Sequence, residues 1–177
     1  MGKELIKEVL VEKESAAATQ ETLRFVFAEF IQSENDYVIE LERILQYKNY
    51  ITAFEVLKPE SIRQLFSNFT DLLNVQWRFS VSIETLLDED NIKDLSLRIG
   101  ALFIQFTPLF TINLEFCRNF QIACEIANDN LLALSQANHL VDANDIPILF
   151  LEPIHRIKEY SRLLTVFFNN LACFESM

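Results

Sequence analysis

The chain has 177 residues, half of them apolar, and its 26 Asp and Glu against 15 Lys and Arg leave a net charge of −11. That is enough apolar material for one domain with its own core, while so acidic a surface argues against nucleic acid as a partner and offers no basic patch for an anionic membrane. Two Gly leave no room for a phosphate-cradling loop or a dinucleotide fingerprint; four scattered Pro and sixteen Phe point to long helices around an aromatic core.

Residues 1–18 read as an N-terminal arm or short helix with Leu5, Ile6, Val9 and Leu10 as its apolar edge, followed by a small-residue joint from Ser15 to Thr19 and a helical domain over 19–177. The first strong helix is expected from about Gln20 to Tyr50, on the stripe Leu23, Val26, Phe27, Phe30, Ile31, Tyr37, Val38, Leu41, Ile44 and Leu45. A second helical region opens near Pro59, a favourable first-turn residue. Asn68 reads as the cap of the next helix, with Asp71 in its first turn, running to about Leu87. Asp88 to Asn91 is a polar break. A helix follows from about Ile92 to Phe106, and Pro108 opens or kinks a long helix reaching Ala137. After a loop from Asn138 to Asp145, a last helix runs from Ile146 to Phe174 on the stripe Ile154, Ile157, Tyr160, Leu164, Phe167, Phe168 and Leu171. No hairpin turn or sustained alternation competes. The expected fold is all-α, an elongated bundle of five to six long helices.

No window is long and apolar enough to span a bilayer: the best, Ile99 to Leu114, is broken by Gln105, Pro108 and Asn113. The odd set Cys117, Cys124 and Cys173, with no secretory leader, reads as a reducing, cytoplasmic chain without disulfides. His139 and His155 have no partners at ligand spacing, so no zinc site is expected. There is no G-x-S-x-G elbow, and the carboxylates are scattered. The chain is read as a protein without covalent chemistry and without a cofactor.

Two positions stand out. At 100° per residue, Glu34 falls roughly 20° from the centre of the first apolar stripe, between Phe30 and Val38. A carboxylate there is costly unless partnered, either by a salt bridge to a neighbouring helix or by another protein's backbone N–H groups. On the last helix, His155, Glu159 and Arg162 lie at i, i+4 and i+7 on one face opposite the apolar stripe, a pattern that is most often a solvated face.

Three stretches, Glu29 to Ile44, Arg98 to Glu125 and Ile148 to Leu164, resemble in order and spacing the signature blocks of the Dbl-homology domain of Rho-family guanine-nucleotide exchange factors. The first block is matched by Ser33-Glu34, Tyr37-Val38 and Leu41. The second is matched by Ile99-Gly100, Phe103, Pro108, Phe110 and Phe116-Cys117-Arg118-Asn119-Phe120. Leu65 to Glu84 is similar to the family's Leu-Phe-x-Asn segment, and VQWRFSVSIE with RIGALF is most like the fungal polarity-establishing members. The third block departs from the family's Lys-Pro-Val-Gln-Arg-x-x-Lys-Tyr-Pro-Leu-Leu: Glu152 and Glu159 replace lysines, His155 replaces glutamine, and Ser161 and Arg162 follow, while Pro153, Arg156, Tyr160, Leu163 and Leu164 are kept as scaffold. Lys158 is one place from the lost lysine, about 100° around the helix. The family's last long helix and its pleckstrin-homology domain have no counterpart here.

The resemblance implies a helical exchange module that binds a Rho-family GTPase. Glu34 would engage the first switch loop, and the face of His155, Glu159 and Arg162 would meet the second. Val38, Leu41, Glu152 and Lys158 would be further GTPase-binding residues. The alternative it leaves open is a scaffold of the same fold that binds without exchange.

Overall fold

A computed structural model describes residues 2–86, 92–137 and 141–175, with side chains over 21–86, 95, 97–137, 141–166, 168 and 169. All regular structure among them is helical: α1 (Gly2–Ala53), α2 (Pro59–Phe66), α3 (Phe69–Glu84), α4 (Ile92–Phe106), α5 (Ile112–Asp129), α6 (Leu131–Ala137) and α7 (Ile146–Glu175). Single 3-10 turns at Leu109–Thr111 and Ala143–Asp145 lead into α5 and α7. Only Asn130 separates α5 from α6.

The elements follow from the local sequence with three differences. The joint expected at Ser15 to Thr19 is not a break, and α1 passes through it. Alanine is the best helix former, so the Ala16-Ala17-Ala18 run ends the apolar stripe without ending the helix. The single helix expected from Pro108 to Ala137 is divided. It begins as a 3-10 turn after Pro108, and at Asn130 the backbone leaves the helical region at φ −114. There the Asn130 Nδ2 donates to the Ile126 carbonyl at 2.9 Å, which also accepts the Asn130 backbone N–H at 3.1 Å. Asn68 stands at the start of α3, but its side chain does not cap the helix; its Nδ2 donates to the Ile112 carbonyl at 2.9 Å and ties α3 to the start of α5. Asp88 to Asn91 and His139 lie outside the described residues, as do the side chains of Leu5, Ile6, Val9, Leu10 and Cys173.

With glycine so scarce, the two tight joints fall to other residues: Glu55 after α1 and Ser67 after α2 have φ of 50° and 44°, each costing on the order of 1 kcal/mol. α1 packs along α3 and α7, and α5 packs on α2, α3 and α7. Side chains pin the neighbours to one another. Tyr47 Oη donates to the Leu134 carbonyl at 3.1 Å, and Asn119 Nδ2 to the Gln64 carbonyl at 2.7 Å.

The core has two parts stacked along α1. One gathers Leu41, Ile44, Tyr47 and Ile51 with Phe66, Phe69, Phe116 and Phe150, whose ring centroids lie 5.7–6.3 Å apart. The other gathers Leu23, Phe27, Phe30 and Ile31 with Phe79, Ile99, Phe106 and Tyr160. Phe79 meets Phe103, Phe106, Phe110 and Tyr160 edge-on at 5.1–5.4 Å. Between the two, buried polar side chains on three helices interrupt the apolar rows and meet: Glu34 on α1, Gln76 on α3 and Arg156 on α7. No single helix among the described residues is long and apolar enough to cross a membrane; Leu97–Phe106 and Leu109–Asp129 would suffice only together, across a 48° bend.

Candidate functional site

Glu34 is 0% exposed, the only carboxylate among the described residues that the fold buries completely. Arg156 reaches its Oε2 with Nη2 at 2.6 Å and Nε at 3.2 Å, and turns Nη1 to Ser33 Oγ at 2.7 Å. Gln76 Nε2 donates to Oε1, and Tyr160 Oη lies 3.1–3.2 Å from both carboxylate oxygens. The guanidinium carbon lies 5.3 Å from the Tyr37 ring centre and 5.1 Å from that of Tyr160, which supplies further cation–π attraction. α1, α3 and α7 are thereby joined by one polar seam between two aromatic cores.

Burial sets the electrostatics of the seam. It pushes the Glu34 carboxyl above the ordinary carboxylate range, and the Arg156 guanidinium with its companion donors pulls it back part of the way. Burial pulls the Arg156 guanidinium down most strongly, but Glu34 and Tyr160 together, by charge and hydrogen bond, hold it above its usual value. Burial, then the nearby Glu34 charge, raises the Tyr160 phenol far up, so it remains a donor. A carboxylate with four donors aimed at it is satisfied in place.

The structure buries three of the expected GTPase contacts. Glu34 takes the salt bridge to a neighbouring helix, one of the two partners expected for it, and Val38 and Leu41 are core side chains. The reason is the position of Glu34 in the middle of the stripe that α1 turns toward α3 and α7. The α7 set divides differently. Glu152, His155, Lys158 and Arg162 are exposed, and Glu159 is half-buried. Glu159 Oε2 accepts from Arg162 Nε at 2.8 Å along the helix surface. Pro153, Arg156 and Tyr160 are buried, whereas Ile157 and Phe168, expected in the apolar stripe, are 41% and 40% exposed.

One member of the seam, Gln76, and the pairing at its centre escaped sequence reasoning. Gln76 falls at helical spacing among Leu72, Leu73, Phe79 and Ile83, so the stripe test that singled out Glu34 would have found it as well. The pairing of Glu34 with Arg156 spans 122 positions, and no local spacing carries it.

A family model described as the RhoGEF domain matches residues 26–172. Rho guanine nucleotide exchange factor scd1 of Schizosaccharomyces pombe is 33% identical over 142 residues, covering 80% of this chain and 16% of that protein. Cell division control protein 24 of Saccharomyces cerevisiae is 23% identical over 143 residues, covering 78% of this chain and 16% of that protein. The chain thus spans under a fifth of the length of either relative. A solved structure of the Vav1 exchange factor superimposes with a TM-score of 0.70 at 21% identity, over 85% of this chain and 42% of that one, which shows a shared fold.

Proposed function

The chain belongs to the RhoGEF domain family, and from that premise we propose that it binds a Rho-family small GTPase and speeds the release of its nucleotide. Such a module does no covalent chemistry. It acts by binding the nucleotide-free GTPase more tightly than the loaded one, so that the population shifts toward the free state. The exchange module is carried by residues 19–177.

One observation carries the reading. α7 is fixed on its inner side by Arg156 and Tyr160 and presents on its outer side a row of ionisable groups, Glu152, His155, Lys158, Glu159 and Arg162. A charged ridge on a helix held this rigidly suits recognition of a charged switch loop, because electrostatic complementarity sets partner choice and encounter rate. In this reading the outer face of α7 meets the GTPase. Glu34 is a positioning residue that holds α1 against α7, and it reaches a partner only if the Arg156 pair opens.

A second reading has specific support: a module of the same fold that binds a GTPase without driving exchange. The burial of Glu34 favours it, and so do the two glutamates, Glu152 and Glu159, where the family pattern carries lysines. Release of fluorescent GDP from a panel of Rho-family GTPases, with stoichiometric chain, tests the two. Accelerated release from at least one member is expected. No acceleration, with the nucleotide-free GTPase still retained in a pull-down, selects the second reading, and failure of both assays rejects both.

A further inference from the structure

On the other flank of α7 lies a feature of different chemistry. Phe103 from the end of α4, Phe110 from the turn after it, Leu114 from α5 and Ile154, Ile157 and Lys158 from α7 enclose an open-sided cleft of about 560 Å³. Its lips are bare hydrocarbon: Leu114 is 56% exposed and Ile157 41%. Both would gain from being covered.

The uncharged polar side chains that line the cleft each already donate a hydrogen bond within the protein. Thr107 Oγ1 donates to the Phe103 carbonyl and Thr111 Oγ1 to the Pro108 carbonyl, each at 2.7 Å. Asn113 Nδ2 donates to the Phe110 carbonyl at 3.0 Å, and Tyr160 Oη is held in the Glu34 seam. Burial also pushes the Cys117 thiol up, so it stays protonated and behaves as a small apolar group. What remains is the Lys158 ammonium. No ion pair holds it among the described residues, and in a chain of net charge −11 the lining contains no carboxylate.

These constraints select a ligand class. A ligand rich in hydrogen-bonding groups, an extended peptide included, would find few partners for them on so apolar a wall. An anionic bilayer is repelled by the rest of the surface. A single hydrocarbon chain with one anionic group matches both the wall and the lone cation, and the volume lies within the range of small-molecule sites. We propose that this cleft binds a single-chain carboxylate amphiphile, with its chain along Phe103, Phe110, Leu114 and Ile157 and its carboxylate on Lys158. The site stands whether or not the chain acts on a GTPase.

The test is a calorimetric titration of the full chain with decanoate below its micelle concentration, and with decanol as the uncharged comparator. Both variants alter exposed side chains: Lys158→Glu removes the cation, and Leu114→Gln wets one lip. Saturable binding of one decanoate per chain is expected, weakened about tenfold or more by Lys158→Glu and by the change to decanol, and weakened again by Leu114→Gln. Circular dichroism establishes that each variant keeps its helices. Absence of saturable binding overturns the proposal. So does decanoate binding that Lys158→Glu and Leu114→Gln both leave unchanged, equal binding of decanol, or capture of an acidic amphipathic helical peptide by a chain that ignores decanoate.

Discussion

α7 carries two ion pairs less than two turns apart, and they differ in kind. Arg156 meets Glu34 at 2.6 Å and Arg162 meets Glu159 at 2.8 Å, so distance does not tell them apart. Environment does. The first pair joins two helices inside the molecule, with side chains 8% and 0% exposed, while the second lies along one helix surface at 62% and 45%. A buried charge that loses its partner is stranded in a medium that solvates it poorly, whereas an exposed one returns to water. The inner pair therefore belongs to the architecture. The outer pair is a detachable feature of the face, free to serve recognition.

The comparison breaks most directly at the inner pair. Arg156→Met or Glu34→Gln is expected to lower the unfolding free energy by about 3–5 kcal/mol, read from urea denaturation; a loss below about 1 kcal/mol would mean that water already reaches the seam. Replacing both together, Glu34→Leu with Arg156→Met, is expected to recover part of that loss, since no lone charge is then left behind. Tyr160→Phe is a milder probe. It keeps the ring among Phe30, Phe79, Phe103 and Phe110 and removes only the hydroxyl, for an expected loss of about 1–2 kcal/mol. At the other extreme, Arg162→Ala is expected to move stability by less than about 0.5 kcal/mol. A larger shift there would erase the distinction between the two pairs.

Much of the fold was legible because helical period and terminal chemistry are local. α4 has its expected bounds, Pro59 opens α2, and α7 starts at Ile146. What failed was also local but ambiguous. The alanine run in α1 lacks apolar periodicity and yet favours helix, and Asn130 ends α5 without a glycine or proline to announce it. At the candidate site, geometry on the helical wheel located Glu34 correctly, while the resemblance directed it outward to a partner. The fold turns it inward, because Arg156 and Gln76 arrive at the same level from α7 and α3. That convergence is a property of three helices packing together and is not written in any one of them. The scaffold reading of Pro153, Arg156 and Tyr160 agrees with their burial.

The central claim is that the inner side of α7 supports and the outer side recognises. Fluorescent-GDP release by the Glu159→Lys variant, measured on the GTPase panel beside its urea midpoint, tests it most directly. This change restores the lysine of the family pattern at a half-buried surface position. The account predicts release faster by about tenfold or more, with unfolding free energy within about 0.5 kcal/mol of the parent. An unchanged release rate at unchanged stability would contradict it, and would place the contact surface elsewhere on the bundle.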